Sequence, residues 1–261
     1  MSETNTNPSA LHTLNPLNRF SDRAADYVKY RPSYPAAVID TILDGLDAAT
    51  IVAADIGAGT GISARLLAER GVRVLAIEPN AAMSAAAKPH PLVEFRDGKA
   101  EATGIEDDSV DLVTCFQAFH WFDPTPTLLE FQRILKSTGR LTLVWNNRDK
   151  EDAFTTEYSN LTVSGSVDPA IHKRSDSAQP LLVSPHFTNV RLATFANYQE
   201  LDLAGLIGRV RSNSYTPKEG TLLDRLILDL EQLFDRFQND GFICLKYSTS
   251  LHLASCDNKN I

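Results

Sequence analysis

Between residues 51 and 145, short apolar runs of β-forming residues alternate with amphipathic helical stretches, and this alternation limits the possible folds more than any other feature. Residues 51–55, 72–78, 92–95, 110–116 and 140–145 read as strands, and residues 60–70, 80–87 and 124–136 read as helices between them. A strand that is apolar throughout is buried on both faces, and a helix between two such strands carries the chain back across the sheet. The expected fold is therefore α/β, a Rossmann-like doubly wound sheet, mostly parallel, with helices on both faces. Local punctuation agrees. Gly71 stops the first of these helices, while Asn80 and Asp123 stand where N-caps are needed. A further helix over 35–46 carries Val38, Ile39, Ile42, Leu43 and Leu46 at helical spacing.

The second half reads differently. Residues 150–179 are polar and show no clear period, and 188–195 read as a sixth strand. Thr216, Pro217, Lys218 and Glu219 have the form of a capping box with proline at the first helical position. They predict the start of a long helix with Leu223, Leu226, Ile227, Leu230, Leu233, Phe234 and Phe237 facing inward, stopped by Gly241. Residues 242–253 alternate as an antiparallel edge strand does, giving a seven-stranded sheet with an antiparallel last strand and helical lid additions. The expected organisation is a flexible N-terminal tail over 1–19 and one domain over 20–261. Its core spans 36–148, with insertions at 149–187 and 197–240.

Charge and cysteine content narrow the function. The 261 residues carry a net charge of −8 and no long basic run, which disfavours nucleic acid as a partner. The three cysteines, Cys115, Cys244 and Cys256, are widely spaced, so neither a disulfide framework nor a metal site is expected, and a reducing cytoplasmic setting follows. No apolar stretch is long enough to span a membrane. The expected protein is cytoplasmic, a monomer or weak homodimer, with no membrane partner.

The most informative motif follows the first strand: Asp55, Ile56, Gly57, Ala58, Gly59, Thr60 and Gly61. Glycines there permit positive φ and close approach of a ligand to the backbone. A nicotinamide-binding turn needs glycine where Ile62 stands. Glu78, at the end of the second strand, has the spacing of an acid that grips a ribose diol. Together these residues point to an adenosine-type cofactor.

The chain resembles the class I S-adenosylmethionine-dependent methyltransferases. The likeness rests on the 55–61 loop, on Glu78, Pro79 and Asn80, on Gly98, Lys99, Ala100 and Glu101, and on the run from Gln117 to Phe122. The opening stretch with Phe20, Tyr27, Tyr30, Arg31, Pro32, Tyr34 and Pro35 extends it toward the small-molecule branch, methyltransferase type 11, that includes trans-aconitate methyltransferase-like proteins. The resemblance implies S-adenosyl-L-methionine as cofactor, with S-adenosyl-L-homocysteine as product. It implies cofactor contacts at Tyr27, Arg31, Asp55, Gly57, Ala58, Gly59, Gly61, Glu78, Pro79, Met83, Ala100, Glu101, Gln117 and Trp121. In this reading Glu78 takes the ribose hydroxyls, Ala100 and Glu101 lie by the adenine, and Gln117 lies beside the sulfonium. Ser137, Thr138 and Gly139 replace the family's Pro-Gly-Gly turn.

The acceptor is expected to be a small molecule, with a carboxylic acid favoured by arginines near the end of the sixth-strand insertion. His120, at the end of the fourth strand, is the candidate base and substrate contact. Trp121, Asn146, Arg148, Arg211 and Tyr215 complete the substrate set, whereas Arg209 reads as a solvated helix end. Two alternatives stand beside this reading: an NAD-dependent oxidoreductase, and a non-catalytic protein that retains the fold.

Overall fold

The computed structural model describes residues 23–167 and 178–256, so the expected 1–19 tail and Phe20 lie outside the described residues. The chain begins with α1 (Ala24–Tyr30) and α2 (Ala36–Leu43), then runs β1 (Val52–Ile56), α3 (Ile62–Ala68), β2 (Arg73–Ile77), α4 (Ala81–Ala85), β3 (Val93–Arg96) and β4 (Val110–Phe116). A 3-10 turn over Phe119–Trp121 leads to α5 (Pro124–Ile134) and β5 (Leu135–Arg148). The remainder is α6 (Ala153–Ser164), α7 (Gln179–Leu182), β6 (Phe187–Leu201), α8 (Leu203–Arg211), α9 (Thr221–Phe237) and β7 (Ile243–Cys256).

The seven strands form one sheet in the order β3-β2-β1-β4-β5-β7-β6. Strands β1 to β5 pair in parallel, and β7 runs antiparallel to both β5 and β6. Fully buried aliphatics on β1, β2, β4 and β5 explain why the core strands are apolar on both faces. One layer packs them against Phe131 and Ile134 of α5, the other against Ile39, Ile42 and Leu67 of α2 and α3. The N-caps behave as expected: Asn80 Oδ1 accepts from the amides of Ala82 and Met83, and Asp123 Oδ1 from that of Thr125.

Four expectations are corrected. The last strand lies inside the sheet, between β5 and β6; its inward residues Ile243, Leu245 and Tyr247 are buried in a third cluster with α6, α8 and α9. The edge belongs to β6, which exposes Leu192 and Tyr198 and runs six residues beyond the expected 195. Thr216 does not cap the long helix, which begins five residues later; its hydroxyl donates to the Val210 carbonyl and closes the turn after α8. Gly220, at φ 90°, then precedes α9 as its N-cap. The polar stretch after β5 contains α6, started by Asp152, whose carboxylate accepts from the Thr155 amide and hydroxyl.

Segment 23–35 lies against α8 and β5–β7, tied down by its backbone. Arg23 donates to the carbonyls of Arg211, Asn213 and Thr216 at 2.6–2.7 Å. The Tyr30 and Ser33 carbonyls accept from Gln199 and from Asn146 and Asn197. Gly208 of α8 meets the Tyr30 ring so closely that a Cβ there would stand 2.3 Å from Cε2. In helix propensity alanine is favoured over glycine by about 1 kcal/mol, but overpacking costs about 1–3 kcal/mol. Gly208→Ala is therefore expected to lower stability by about 1–2 kcal/mol, measured by urea unfolding; an unchanged or raised midpoint would show that the α1–α8 seam is loose.

Candidate functional site

The strand order reverses between β1 and β4, and in an open parallel sheet the crevice at the carboxyl ends of such strands is where ligands bind. The 57–61 loop leaves β1 at that crevice. Gly57, Gly59 and Gly61 have φ of 69°, 58° and 71°, a region costly for any residue with a Cβ. A Cβ at Gly57 would lie 2.6 Å from that of Ala118 and 2.9 Å from the Phe122 ring, and one at Gly61 would lie 2.9 Å from the Phe95 ring. At Gly59 the nearest described atom is Met83 Cε, at 3.4 Å. Gly57 and Gly61 thus serve packing as well as conformation, while Gly59 leaves backbone open.

Glu78 ties this loop to the next strand end. One carboxylate oxygen accepts from the Gly59 amide and the other from the Asn80 amide, both at 2.8 Å. Burial raises the pKa of this carboxyl, and the two amides act against the rise. A carboxylate offers about four acceptor positions, so two remain for hydroxyl donors. Pro79 is partly buried beside it, and Met83 is buried under the loop.

Asp55 is a correction to the expected cofactor contacts. It has no exposure, and its two oxygens accept from Ser63 Oγ at 2.6 Å and Thr114 Oγ1 at 2.8 Å. It braces β1, α3 and β4 from beneath the loop and presents nothing to the crevice. Ala100 is likewise buried among core residues, leaving backbone only, and Glu101 accepts from the Asp123 amide.

At the end of β4, Gln117 has φ 54°, a strained conformation for a non-glycine residue, and its amide donates to the Asn146 carbonyl. His120 Nδ1 accepts from the Trp145 indole at 3.3 Å, so a neutral His120 carries its proton on Nε2. In that tautomer Nε2 is the donor. Trp121 packs with Tyr215 and Phe122 in a small buried cluster.

A small cavity of about 30 Å³ opens beside the crevice. It is lined by Tyr27, Arg31, Tyr34, Ile62, Gln117, Asn146, Arg209 and Tyr247, among others. Arg31 stacks on the Tyr27 ring at 4.5 Å and donates to the Ser212 carbonyl, while its buried Nε has no partner. Burial, and then the like charge of Arg209, lowers its pKa. Two expected substrate residues point elsewhere. Arg148 donates to Thr162 and the Tyr215 hydroxyl and stacks on Tyr158, bracing α6. Arg211 is exposed, whereas Arg209 is buried, which reverses the sequence expectation. Residues two apart on a helix point to nearly opposite sides, and composition alone does not say which side faces in. Ile62, Arg209 and Tyr247 were missed; only the phase of α8 could have pointed to Arg209.

With this geometry in place, comparison with known proteins gives a consistent result. Residues 54–143 match a family described as a methyltransferase domain. An uncharacterized methyltransferase of Schizosaccharomyces pombe is 32% identical over 208 residues, covering 77% of this chain and 81% of that protein. The chain belongs to the class I methyltransferase family. A second S. pombe protein, described as methyltransferase-like, is 40% identical over 137 residues, and the match spans 53% of that relative and 51% of this chain. A solved structure from Anaeromyxobacter dehalogenans, of a candidate type II methyltransferase, has a TM-score of 0.64 at 20% identity and covers 87% of this chain and 98% of its own; it shares the fold. S-adenosylmethionine is the cofactor expected for a methyltransferase of this fold.

The buried brace under the loop makes a pH prediction. Burial raises the Asp55 pKa from 3.8 to about 6, against the hydrogen bonds from Ser63, Thr114 and the Ala64 amide. The folded protein therefore holds this proton more tightly than the unfolded chain does. The proton-linked stabilisation is complete below the unfolded value and is lost as pH rises through the folded one. Relative to Asp55→Asn, the parent protein is expected to lose up to about 3 kcal/mol between pH 4 and 7, read from urea unfolding across that range. Parallel pH profiles for the two proteins would assign the titration to another group.

Proposed function

We propose that this protein is an S-adenosylmethionine-dependent methyltransferase acting on a small carboxylic acid, with residues 149–167, 178–187 and 197–240 on the acceptor side. The observation that carries the cofactor reading is the Gly59–Glu78 pair: open backbone at positive φ, held 2.8 Å from a largely buried carboxylate with acceptor positions to spare. These residues fit the cofactor's ribose, and the buried Nε of Arg31 fits its carboxylate. When bound, S-adenosylmethionine supplies an electrophilic methyl group on a sulfonium, and transfer leaves the carbon–sulfur electron pair on sulfur.

The protein's own contribution is alignment. Glu78 and the 57–61 loop fix one end of the cofactor site, Arg31 fixes the other, and Gln117 and Asn146 set the floor between them. In-line displacement gains most of its acceleration from such positioning. An ionised carboxylate needs no base, in keeping with a His120 whose Nδ1 is already occupied by Trp145. The buried pair Trp121 and Tyr215 supports a cover over the crevice, where ring faces favour a nearby cation by about 0.5–2 kcal/mol.

The test is calorimetric titration with S-adenosylhomocysteine, with NADH as the competing probe. Binding of the first alone is expected; binding of NADH alone would support the oxidoreductase reading, and binding of neither would support a non-catalytic protein of this fold. Glu78→Ala removes the diol acceptor and is expected to weaken S-adenosylhomocysteine binding by about 1.5–3 kcal/mol. Unchanged affinity in that variant would overturn the ribose assignment.

A further inference from the structure

The two edges of the sheet are built differently. β3, at one end, has four residues, and its Glu94 is paired with Arg73 and Arg96. Shortness and charge are devices that keep a sheet edge from pairing with another chain. β6, at the other end, has 15 residues. Its irregularity is confined to the start, where the register with β7 shifts between Thr188 and Arg191 and Asn189 has φ 53°. From Arg191 to Leu201 the pairing is unbroken. Residues 192–199, Leu-Ala-Thr-Phe-Ala-Asn-Tyr-Gln, contain no charge, proline or glycine. Among the described residues no strand pairs with the outer side of β6.

Lys246 of β7 lies opposite Tyr198, yet its amide donates to Thr155 and its carbonyl accepts from Asp149, both on the side away from β6. The amide and carbonyl of Tyr198 therefore face the outer margin, and by alternation so do those of Leu192, Thr194 and Ala196. The Tyr198 amide there meets only its neighbour's side chain, Asn197 Oδ1, at 2.9 Å among the contacts found outside the sheet ladder. Leu192 and Tyr198, 62% and 67% exposed, stand on one face of the strand. The other face carries Phe195, Asn197 and Gln199, whose two amide side chains hold the Ser33 and Tyr30 carbonyls.

We infer that β6 is the seam of a homodimer, two copies of the strand pairing antiparallel about a two-fold axis through Phe195. An axis perpendicular to the sheet makes the contact self-complementary and keeps each face of the strand on its own side. In this register Leu192 lies opposite the partner's Tyr198, and Tyr198 opposite the partner's Leu192, so the exposed apolar side chains cover one another. Thr194 meets the partner's Ala196, and the margin amides and carbonyls exchange hydrogen bonds in pairs. Arg191 meets the partner's Gln199, and Glu200 the partner's Val190, so no like charges are opposed. The neighbouring registers are poorer. An axis through Ala196 sets Leu192 against the carboxylate of the partner's Glu200, and one through Thr194 carries Tyr198 onto the bulge at the partner's Val190. This self-match commits the edge to a second copy rather than to an unrelated chain. The seam also runs along the strand whose Asn197 and Gln199 hold the segment bearing Arg31.

The experiment is sedimentation velocity of the full chain from about 1 to 100 µM, with amide hydrogen exchange followed by NMR at both ends of that range. A concentration-dependent dimer is expected, with added protection at the Leu192, Thr194 and Ala196 amides. Leu192→Lys and Tyr198→Glu each put a charge on an exposed site, and each should weaken the dimer about tenfold or more. The two sites stand about 20 Å apart along the strand, so charges placed there do not meet within one chain. Across the seam they do, and the chain carrying both substitutions should associate more tightly than either single variant. A parent protein that stays monomeric at the upper concentration overturns the inference, and protected margin amides in that monomer would show that another part of the chain covers the edge. A dimer that neither single variant weakens is built on another surface and also overturns it. A double variant no tighter than the single ones overturns the Phe195-centred register and the self-match with it. Should one variant fail to fold, the other variant and the amide protection of the parent protein decide the same question.

Discussion

A carboxylate withdrawn from water has to be held by its neighbours, and in this protein Asp55 is held by the elements that frame the crevice. Its partners are Ser63 at the start of α3 and Thr114 on β4. The three elements meet where the strand order changes direction, and the glycine loop starts two residues later. If β1, α3 or β4 shifted, the acid would lose a hydrogen bond in a place water cannot reach, at a cost of about 1–3 kcal/mol for an unsatisfied group. The loop therefore springs from a rigid footing. Glu78 repeats the device one strand further out, with backbone amides in place of hydroxyls, and at lesser burial, so that part of its capacity faces outward.

The segment before α2 obeys a different constraint. Pro32 and Pro35 keep residues 31–35 out of a helix, so the carbonyls there need partners from elsewhere. The Ser33 carbonyl accepts from the side-chain amides of Asn146 on β5 and Asn197 on β6, and the Tyr30 carbonyl just before the segment accepts from Gln199, also on β6. Asn146, Tyr247 of β7 and Arg209 of α8 supply the far wall of the cavity. Cover and wall are thus one hydrogen-bonded unit, and Arg31 and Arg209 face each other because of it.

The parallel core was legible because its signals are local. Apolar runs bounded by Asn80, Asp123 and Gly71 specify strands and helix ends without reference to the rest of the chain. The glycine loop and Glu78 were legible for the same reason, and the family resemblance added to them. What the sequence hid depends on packing between distant parts. The pattern of β7 suits an edge strand or an inner strand with one solvated face, and only the position of β6 decides between them. Thr216 carries the cap motif but spends its hydroxyl on Val210. Arg209 and Arg211 differ by two positions in composition-neutral surroundings, and the rotation of α8 against Tyr30 settles which one is buried.

The place of β7 between β5 and β6 bears on the order in which the molecule can assemble. Among the described residues β6 pairs with β7 alone, yet β7 follows it in the chain. During synthesis, strands β1 to β5 can pair as they emerge, whereas β6 and α8 must wait, unpaired, until a later segment slides between them and the finished core. The crevice that holds the glycine loop can therefore form before the wall that carries Arg209. A nascent chain would pass through a stage with the glycine loop in place and the far wall of the cavity missing, and the exposed margin of β5 would be the surface most in need of protection during that interval.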